Sequence, residues 1–259
     1  RTIVTRITCI SSVFSFSFTE LENPEYRVVF TPTLTQFFEF AVPTKNYLSA
    51  TVLDDVKKSV LKYTYKNKMW TSEKVSLGQA GNTSIMAFSG ESDQVYLNYT
   101  SFLNPTEFHF TDLNKNGSLK KVMTSPVRFN AKDFVAHQYK TKSSDGTVIP
   151  YFIVHHKNLK LDGSNPTLLY GYGGFEYALT PHYLGATGKA WVEKGGIYVL
   201  ANIRGGGEYG PEWHQSVLKE KRQLVFNDFY AIAEDLISRK ITSPKHLGIM
   251  GGSNGGLLT

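Results

Sequence analysis

Residues 247–255 read Leu-Gly-Ile-Met-Gly-Gly-Ser-Asn-Gly, an apolar strand that runs directly into the pattern G-x-S-x-G. In this context the pattern predicts a sharp turn from a strand into a helix, with the Ser253 hydroxyl exposed at its tip. Gly251 and Gly255 suit that turn because a Cβ at either position would crowd the neighbouring strand or the following helix. The stretch therefore predicts a serine nucleophile, with the backbone N–H of Asn254 directed at an oxyanion. The alternative is a glycine-rich turn in which Ser253 only caps a helix.

The chain before this turn alternates apolar strands with helical patterns. Buried strands are predicted at residues 167–170, 197–203 and 247–250, after a hairpin formed by 136–141 and 148–155. Apolar residues spaced three and four apart over residues 226–237 predict a helix between the last two strands. Strands joined by helices through short connections form a parallel sheet, whose ligands gather at the carboxyl ends of the strands. Ser253 follows one of those ends.

Before residue 136 the apolar residues alternate with polar ones, and the pattern breaks often. Strands are predicted at residues 26–30, 47–53, 60–65, 84–88, 94–99 and 107–112. Short strands at this spacing are typical of a sandwich, a barrel or propeller blades of about 40–45 residues each, and no sharp internal repeat decides among the three. We therefore predict two domains, an antiparallel β domain over residues 1–135 and an α/β domain over residues 136–259.

The composition is that of a globular protein, with 41% hydrophobic and 19% charged residues in 259. Lys and Arg number 28 against 22 Asp and Glu, but the basic residues are scattered and form no stripe that would bind nucleic acid. No run approaches the roughly 18 apolar residues of a membrane helix, and no signal-peptide core is visible. The single cysteine and the seven histidines offer neither a disulfide nor a metal-ligand spacing. We expect a cytoplasmic protein that binds no metal, cofactor, nucleic acid or membrane.

A second glycine-rich stretch, YGYGGF at residues 170–175, ends the strand that begins at Thr167. Enzymes with a serine on a strand-to-helix turn take a second oxyanion donor from the loop after an early strand. The Tyr172 hydroxyl in that loop could donate a hydrogen bond to developing negative charge. Alternatively, Tyr172 and Phe175 are packing aromatics on a glycine-rich turn, and the spacing alone leaves both interpretations open.

The main rival pattern is G-x-G-x-x-G, which runs from Gly205 to Gly210 after a predicted strand. It is found in dinucleotide-binding loops, although a lone glycine pattern is weak evidence. Arg204 directly precedes the pattern, and Asp228 lies in a predicted helix, whereas a ribose-binding acid belongs at the end of the next strand. We therefore favour a structural ion pair or a capping role for Arg204 and Glu208.

Three stretches together resemble the prolyl oligopeptidase family of serine peptidases, and the prolyl endopeptidases in particular. They read YGYGGF at residues 170–175, ANIRGGGEYG at 201–210 and GGSNGGLL at 251–258. The resemblance implies a β-propeller of antiparallel blades followed by an α/β-hydrolase domain, of which this chain would hold late blades and the N-terminal part of the hydrolase. It also implies cleavage on the carboxyl side of proline in short peptides by a monomeric enzyme.

The resemblance assigns roles to the residues that match the family motifs. Ser253 would be the nucleophile, and the Asn254 N–H and the Tyr172 hydroxyl would be the oxyanion donors. Phe175 would form part of the wall near the substrate. The resemblance implies no cofactor.

The end of the sequence departs from the family pattern. α/β-Hydrolases place the triad acid and then the histidine after the serine, and only six residues follow Ser253. We therefore expect an internal fragment of a prolyl endopeptidase that lacks the triad Asp and His and is inactive in isolation. Two other hypotheses stay open, namely a non-catalytic propeller and hydrolase scaffold that binds a partner, and a nicotinamide-dependent oxidoreductase that uses residues 205–210.

Overall fold

The computed structural model describes residues 2–6, 12–17, 19, 21–75, 77, 81–115 and 119–259. The chain divides into two compact units, the first formed by Arg1–Thr100 and Thr106–Thr124 and the second by Ser101–Pro105 and Ser125–Thr259. Compactness alone does not define a domain, so the boundary between residues 135 and 136 stays a prediction. In the described part of the chain, no helix combines the length and the apolar character that crossing a membrane requires.

The described residues of the first unit form three antiparallel sheets, each with its strands in chain order. Their strands are β1 Thr2–Arg6, β2 Val13–Ser17 and β3 Arg27–Phe30; β4 Gln36–Pro43, β5 Leu48–Asp54, β6 Lys57–Lys66 and β7 Met69–Val75; and β8 Asn82–Phe88, β9 Gln94–Thr100, β10 Glu107–Asp112 and β11 Lys120–Thr124. Consecutive strands pair because their connections are short. Asp55 and Val56, which join β5 to β6, both have positive φ, as two-residue hairpin turns of the right-handed twist require. The predicted short antiparallel strands are confirmed.

The middle sheet, β4 to β7, packs against other strands on both of its faces. On one face its residues pack in a cluster with β2 and β3, whose members are Val13, Val29, Phe30, Phe38, Leu48, Ala50, Val52 and Tyr63. On the other face they pack with the third sheet, through Val60, Val75, Val95, Leu97 and Leu113. Sheets stacked in this way bury both sets of alternating side chains, which explains why every residue of β5 except Asp54 is buried.

Asp93, in the turn between β8 and β9, connects two of these sheets. Its buried carboxylate accepts hydrogen bonds from Thr44 Oγ1 at 2.8 Å, from the Asn46 backbone at 2.8 Å and side chain at 2.6 Å, and from Asn114 Nδ2 at 2.7 Å. Burial alone would raise the pKa of Asp93, but these hydrogen bonds outweigh it and lower the pKa. The charged form of Asp93 therefore stabilises the fold.

Replacing Asp93 with asparagine should lower the free energy of unfolding by about 2–3 kcal/mol at neutral pH, because an amide cannot accept from four donors. The folded-state pKa is depressed, so the wild-type advantage should be present at neutral pH and should shrink as the pH falls through that lowered pKa. Urea denaturation across the acid range measures both effects. Asp54→Asn, at an exposed strand end, is the control and should change stability little. Equal loss of stability in Asp93→Asn and Asp54→Asn would contradict the stabilising role of the Asp93 carboxylate.

The second unit is built on one mixed five-stranded sheet. Its elements are β12 Phe134–Lys142, β13 Val148–His156, β14 Thr167–Tyr170, α1 Gly185–Ala190, β15 Ile197–Ala201, α2 Pro211–Gln215, α3 Gln223–Ser238, β16 Leu247–Met250 and α4 Asn254–Leu258. The strand order is β12-β13-β15-β14-β16. β14 runs parallel to β15 and to β16, as predicted, whereas β12, β13 and β15 pair antiparallel.

The parallel register of β14 and β16 places two loops side by side. Tyr170, the last residue of β14, pairs with Met250, the last residue of β16. Both glycine-rich stretches therefore leave the sheet at the same edge, where ligands of parallel strands gather.

Helix α3 covers one face of this sheet and confirms the helix predicted over residues 226–237. Its residues Val225, Phe229, Ile232 and Leu236 enter the core with β-strand residues such as Leu169 and Val199. The helix is also fixed by charge, because Arg204 forms two side-chain hydrogen bonds with Asp228, at 2.9 and 2.6 Å.

Arg204 also donates to Asp145, in the turn between β12 and β13, at 2.6 Å. That hydrogen bond lowers the pKa of Asp145 to about 2. The structural ion pair predicted for Arg204 is confirmed, with Asp228 and Asp145 as its partners. The ion pair predicted for Glu208 was wrong, because its buried carboxyl accepts from the Leu179 N–H and pairs with no basic side chain in the described chain.

Candidate active site

Ser253 lies at the tip of a sharp turn between β16 and α4. Its backbone has φ 53° and ψ −116°, a region that residues with a Cβ rarely occupy and that persists only where the surroundings enforce it. The side chain is exposed and forms no capping hydrogen bond with α4, which disfavours the helix-cap alternative. The turn thus presents a hydroxyl group at the carboxyl edge of the sheet.

Gly251 and Gly255, two residues before and two residues after Ser253, lie where backbone approaches backbone closely. A Cβ on Gly251 would overlap the carbonyl oxygen of Gly255, and a Cβ on Gly255 would overlap the carbonyl oxygen of Gly171. The first contact lies within the turn, and the second lies between the turn and the loop after β14. These contacts give the steric reason for both glycines.

The Asn254 side chain joins the turn to the loop after β14. Its Nδ2 donates to the carbonyl oxygen of Tyr172 at 2.6 Å, and its Oδ1 accepts from Arg222 Nη2 at 3.2 Å. Arg222 Nη1 also donates to the carbonyl oxygen of Gly173 at 2.6 Å. A Cβ on Gly174 would overlap Asn254 Nδ2, so the absence of a side chain at Gly174 leaves room for the Asn254 amide. Side-chain hydrogen bonds therefore set the position of Tyr172 relative to Ser253.

Neither of these side-chain roles was predicted from the sequence. The sequence motif predicts a role only for the Asn254 backbone N–H and none for Arg222. Arg222 lies 32 residues before Asn254 in the chain, at the start of α3. The single sequence contains no local pattern that would connect the two.

Two aromatic residues of the loop are oriented differently. The Tyr172 ring is partly buried and packs edge-to-face on Tyr177, with centroids 5.7 Å apart. Within the described residues its hydroxyl forms no hydrogen bond, so it is available to a ligand. Phe175 has φ 55° and is 75% exposed. It projects as an apolar surface rather than packing in a core.

The glycines of the rival pattern contact protein rather than an open phosphate site. A Cβ on Gly205 would overlap the carbonyl oxygen of Gly173, and a Cβ on Gly207 would overlap that of Glu176. Their lack of a side chain therefore lets two loops approach each other. Asp228 is fully buried against Arg204 and is not available to a ribose. These observations favour a structural role for residues 205–210.

The site combines an exposed serine hydroxyl with candidate oxyanion donors. Its Ser253 hydroxyl contacts no histidine through a hydrogen bond within the described part of the chain. The same residues contain no cluster of three His, Cys, Asp or Glu side chains that could hold a metal ion.

Two family models match the chain. The model described as "Prolyl oligopeptidase, N-terminal beta-propeller domain" matches residues 11–124, and the one described as "Prolyl oligopeptidase family" matches residues 183–259. Of the three arrangements predicted for the first half, the propeller is therefore confirmed.

Named relatives share substantial identity with the chain. It is 46% identical over 234 residues, 90% of its length, to "Uncharacterized peptidase y4nA" of Sinorhizobium fredii. It is 39% identical over 215 residues, 82% of its length, to the prolyl endopeptidase of Elizabethkingia meningoseptica. It covers 32% and 30% of these proteins. The chain therefore spans about a third of the length of the curated relatives it matches.

Solved structures of similar proteins superimpose on nearly the whole of this chain. A post-proline cleaving enzyme from Rickettsia typhi superimposes with a TM-score of 0.85 at 37% identity, over 96% of this chain and 36% of that one. A structure from a study of two prolyl endopeptidases superimposes with a TM-score of 0.88 at 33% identity, over 99% of this chain and 38% of that one.

Proposed function

This chain belongs to the prolyl oligopeptidase family of serine peptidases, and from that we propose that it forms part of an endopeptidase that cleaves short peptides on the carboxyl side of proline. We use "parent" for the protein of the relatives' length that would contain this sequence. The observation that carries the proposal is the backbone of Ser253, which holds a non-glycine residue at φ 53° between a strand and a helix. Such a turn is a costly conformation that exposes a nucleophile.

The proposed reaction proceeds through an acyl-enzyme on Ser253. The Ser253 Oγ attacks the carbonyl carbon of the proline residue while its proton passes to a general base. The oxygen that becomes negative accepts hydrogen bonds from the Asn254 N–H and the Tyr172 hydroxyl. The C–N bond then breaks as the base returns the proton to the leaving amine, and water hydrolyses the ester to regenerate Ser253.

The Asn254 side chain has a further part in this mechanism. By holding the carbonyl group of Tyr172, it fixes the loop that carries one oxyanion donor to the turn that carries the other. Donors fixed before the reaction need not reorganise as charge develops, which is what makes them effective. Phe175, exposed beside them, would contact the apolar part of a peptide.

The general base is proposed to follow Thr259 in the parent. α/β-Hydrolases place an acid and then a histidine after the serine, and this chain spans about a third of its relatives. Without a base the serine proton has no acceptor.

The isolated 259-residue chain is therefore expected to react with a fluorophosphonate probe at Ser253 at least about 10⁴-fold more slowly than the parent, because the base is missing. Mass spectrometry of the labelled peptide measures both rates. Rapid stoichiometric labelling of the isolated chain would contradict the missing-base proposal.

A peptidase assay of the parent tests the proposed function itself. Chromogenic substrates that end in Gly-Pro, Gly-Ala and Gly-Arg differ only at the residue before the scissile bond. Preference for Gly-Pro supports cleavage after proline, whereas preference for Gly-Arg would support a peptidase specific for basic residues. No hydrolysis of any of the three would favour the non-catalytic scaffold instead.

A further inference from the structure

Leu179 is held at both of its backbone polar groups by buried side chains. Its N–H donates to Glu208 Oε1 at 3.0 Å, and its carbonyl oxygen accepts from Asn202 Nδ2 at 2.6 Å. Glu208 is 1% exposed and Asn202 is fully buried. Such a double clamp fixes a backbone position more firmly than one hydrogen bond can.

Two acceptor atoms of this clamp have no hydrogen-bond donor in the described part of the chain. Within the described residues, Glu208 Oε2 and Asn202 Oδ1 are both buried without a hydrogen-bond partner. The carbonyl oxygen of Tyr177 borders the same space, because a Cβ on Gly206 would overlap Glu208 Oε2 and lie 2.9 Å from that carbonyl. Every one of these three atoms is an acceptor. Buried acceptors are rarely left unpaired, and a proton on the Glu208 carboxyl would supply the missing hydrogen-bond donor.

Among the described residues, no charged group acts on the Glu208 carboxyl. The Leu179 N–H, its own N–H and the Asn202 amide are neutral donors that favour the ionised carboxyl, but burial outweighs all three. Arg204, four residues earlier in the chain, forms ion pairs with Asp228 and Asp145 instead.

Two titratable side chains approach from the neighbouring elements. His214 Nδ1, from α2, donates to the carbonyl oxygen of Gly205 at 2.7 Å, and the Glu176 N–H donates to the same oxygen at 3.2 Å. Tyr177 is largely exposed. Neither acts on the Glu208 carboxyl, and burial raises the pKa of Glu208 to about 8.

The clamp holds the segment that carries the proposed oxyanion and wall residues. The chain runs from Tyr172 through Phe175 to Leu179, and Glu176 N–H donates to the carbonyl oxygen of Gly205. The segment is thus fixed to Asn254 at one end and to Glu208 and Asn202 at the other.

We propose that Glu208 is a positioning residue that keeps a proton on its carboxyl, donates it to Asn202 Oδ1 or the Tyr177 carbonyl, and so holds residues 172–179 in place. The part of this inference that concerns catalysis rests on the proposed function. When Glu208 ionises, the donor is lost and a negative charge faces two acceptors, so the segment loosens. The peptidase would then lose activity in alkali through a group remote from its base.

The test uses hydrogen exchange of a peptide that spans residues 174–180 in this chain, at about pH 6 and about pH 10, on either side of that pKa. Glu208→Gln replaces the protonated acid with an amide that accepts and donates in the same places. Glu208→Ala removes both functions, and Glu212→Gln, exposed on α2, is the matched control. Rates are compared between variants at the same pH.

We expect Glu208→Gln to match wild type at the lower pH and Glu208→Ala to exchange about tenfold faster or more. At the higher pH, wild type should approach Glu208→Ala while Glu208→Gln keeps its protection. Two results would overturn the proposal: loss of protection in Glu208→Gln at the lower pH, or identical pH responses in wild type and Glu208→Gln. Exchange does not depend on peptidase activity, so a parent without activity leaves this outcome unchanged.

In an active parent, Glu208→Gln should retain its kcat at alkaline pH where wild type declines. A wild-type decline that Glu208→Gln shares would overturn the positioning role while leaving the proposed peptidase function intact.

Discussion

Replacing Ser253 with alanine in the parent should lower kcat for a prolyl peptide by about 10⁴- to 10⁶-fold, the loss seen when a triad nucleophile is removed. Alanine keeps the Cβ that already occupies the strained backbone, so the turn should survive the change. Substrate binding should persist, because Phe175 and the oxyanion donors are untouched. Single-turnover kinetics and a binding titration measure the two effects separately.

Ser243→Ala is the matched control for this experiment. Ser243 Oγ lies 2.9 Å from His246 Nδ1, so the described chain does contain a serine in contact with a histidine. This pair lies before the first residue of β16, however, and Ser253 follows the last. A strand rises by roughly 3.3 Å per residue, so the two serines are well apart. Loss of kcat in Ser243→Ala, with activity retained in Ser253→Ala, would contradict the assignment of the nucleophile.

The strands that the sequence missed differ physically from those it revealed. β10 was predicted with its observed limits because Phe108 and Phe110 alternate with polar residues, although the buried positions are His109 and Thr111. β4 was missed because a register shift between Phe38 and Phe40 interrupts the alternation, so the apolar residues do not follow period two. β7 and β11 were missed because nearly all of their side chains are exposed and carry no apolar pattern. Their place is fixed by pairing with a neighbouring strand.

The order of the second sheet depends on pairings that no local pattern encodes. Crossover helices correctly predicted that β14, β15 and β16 are parallel. β13, however, pairs with β15 instead of with β14, which follows it in the chain. This choice is made by tertiary packing of fully buried strands, since Ile153 and Val199 pair across it and both belong to the core.

The candidate site also combines residues that a local motif predicts with residues that only the fold brings together. Ser253 and its two glycines form a local motif, so five consecutive residues were sufficient to predict a sharp turn. Arg222 and Glu208 act on residues 32 and 29 positions away, and only the fold brings them together. The contrast explains why the rival glycine pattern was ambiguous in the sequence. Its glycines allow close contact with a loop some thirty residues earlier in the chain. In the sequence, a glycine that admits a neighbouring loop cannot be distinguished from one that admits a ligand.

Replacing Tyr172 with phenylalanine in the parent should lower kcat by roughly 10²- to 10³-fold with little change in KM, as expected for one oxyanion donor. The hydrogen bond strengthens only as negative charge develops on the substrate oxygen, so its loss affects the transition state more than the bound substrate. Stability should hardly change, because the ring contact with Tyr177 and the backbone contact with Asn254 both remain. Steady-state kinetics with a Gly-Pro substrate and a thermal unfolding curve measure these effects.

Tyr177→Phe separates a donor from a packing aromatic. Tyr177 is the other ring of the same edge-to-face pair, with centroids 5.7 Å apart, so both variants keep the pair and remove one hydroxyl. If the Tyr172 hydroxyl is the donor, Tyr172→Phe alone should lose activity and Tyr177→Phe should remain near wild type. If Tyr172 only packs, both variants should retain the parental kcat, which would remove Tyr172 from the catalytic residues and leave Ser253 in place. Loss in Tyr177→Phe alone would move the donor to that hydroxyl, five residues along the same loop.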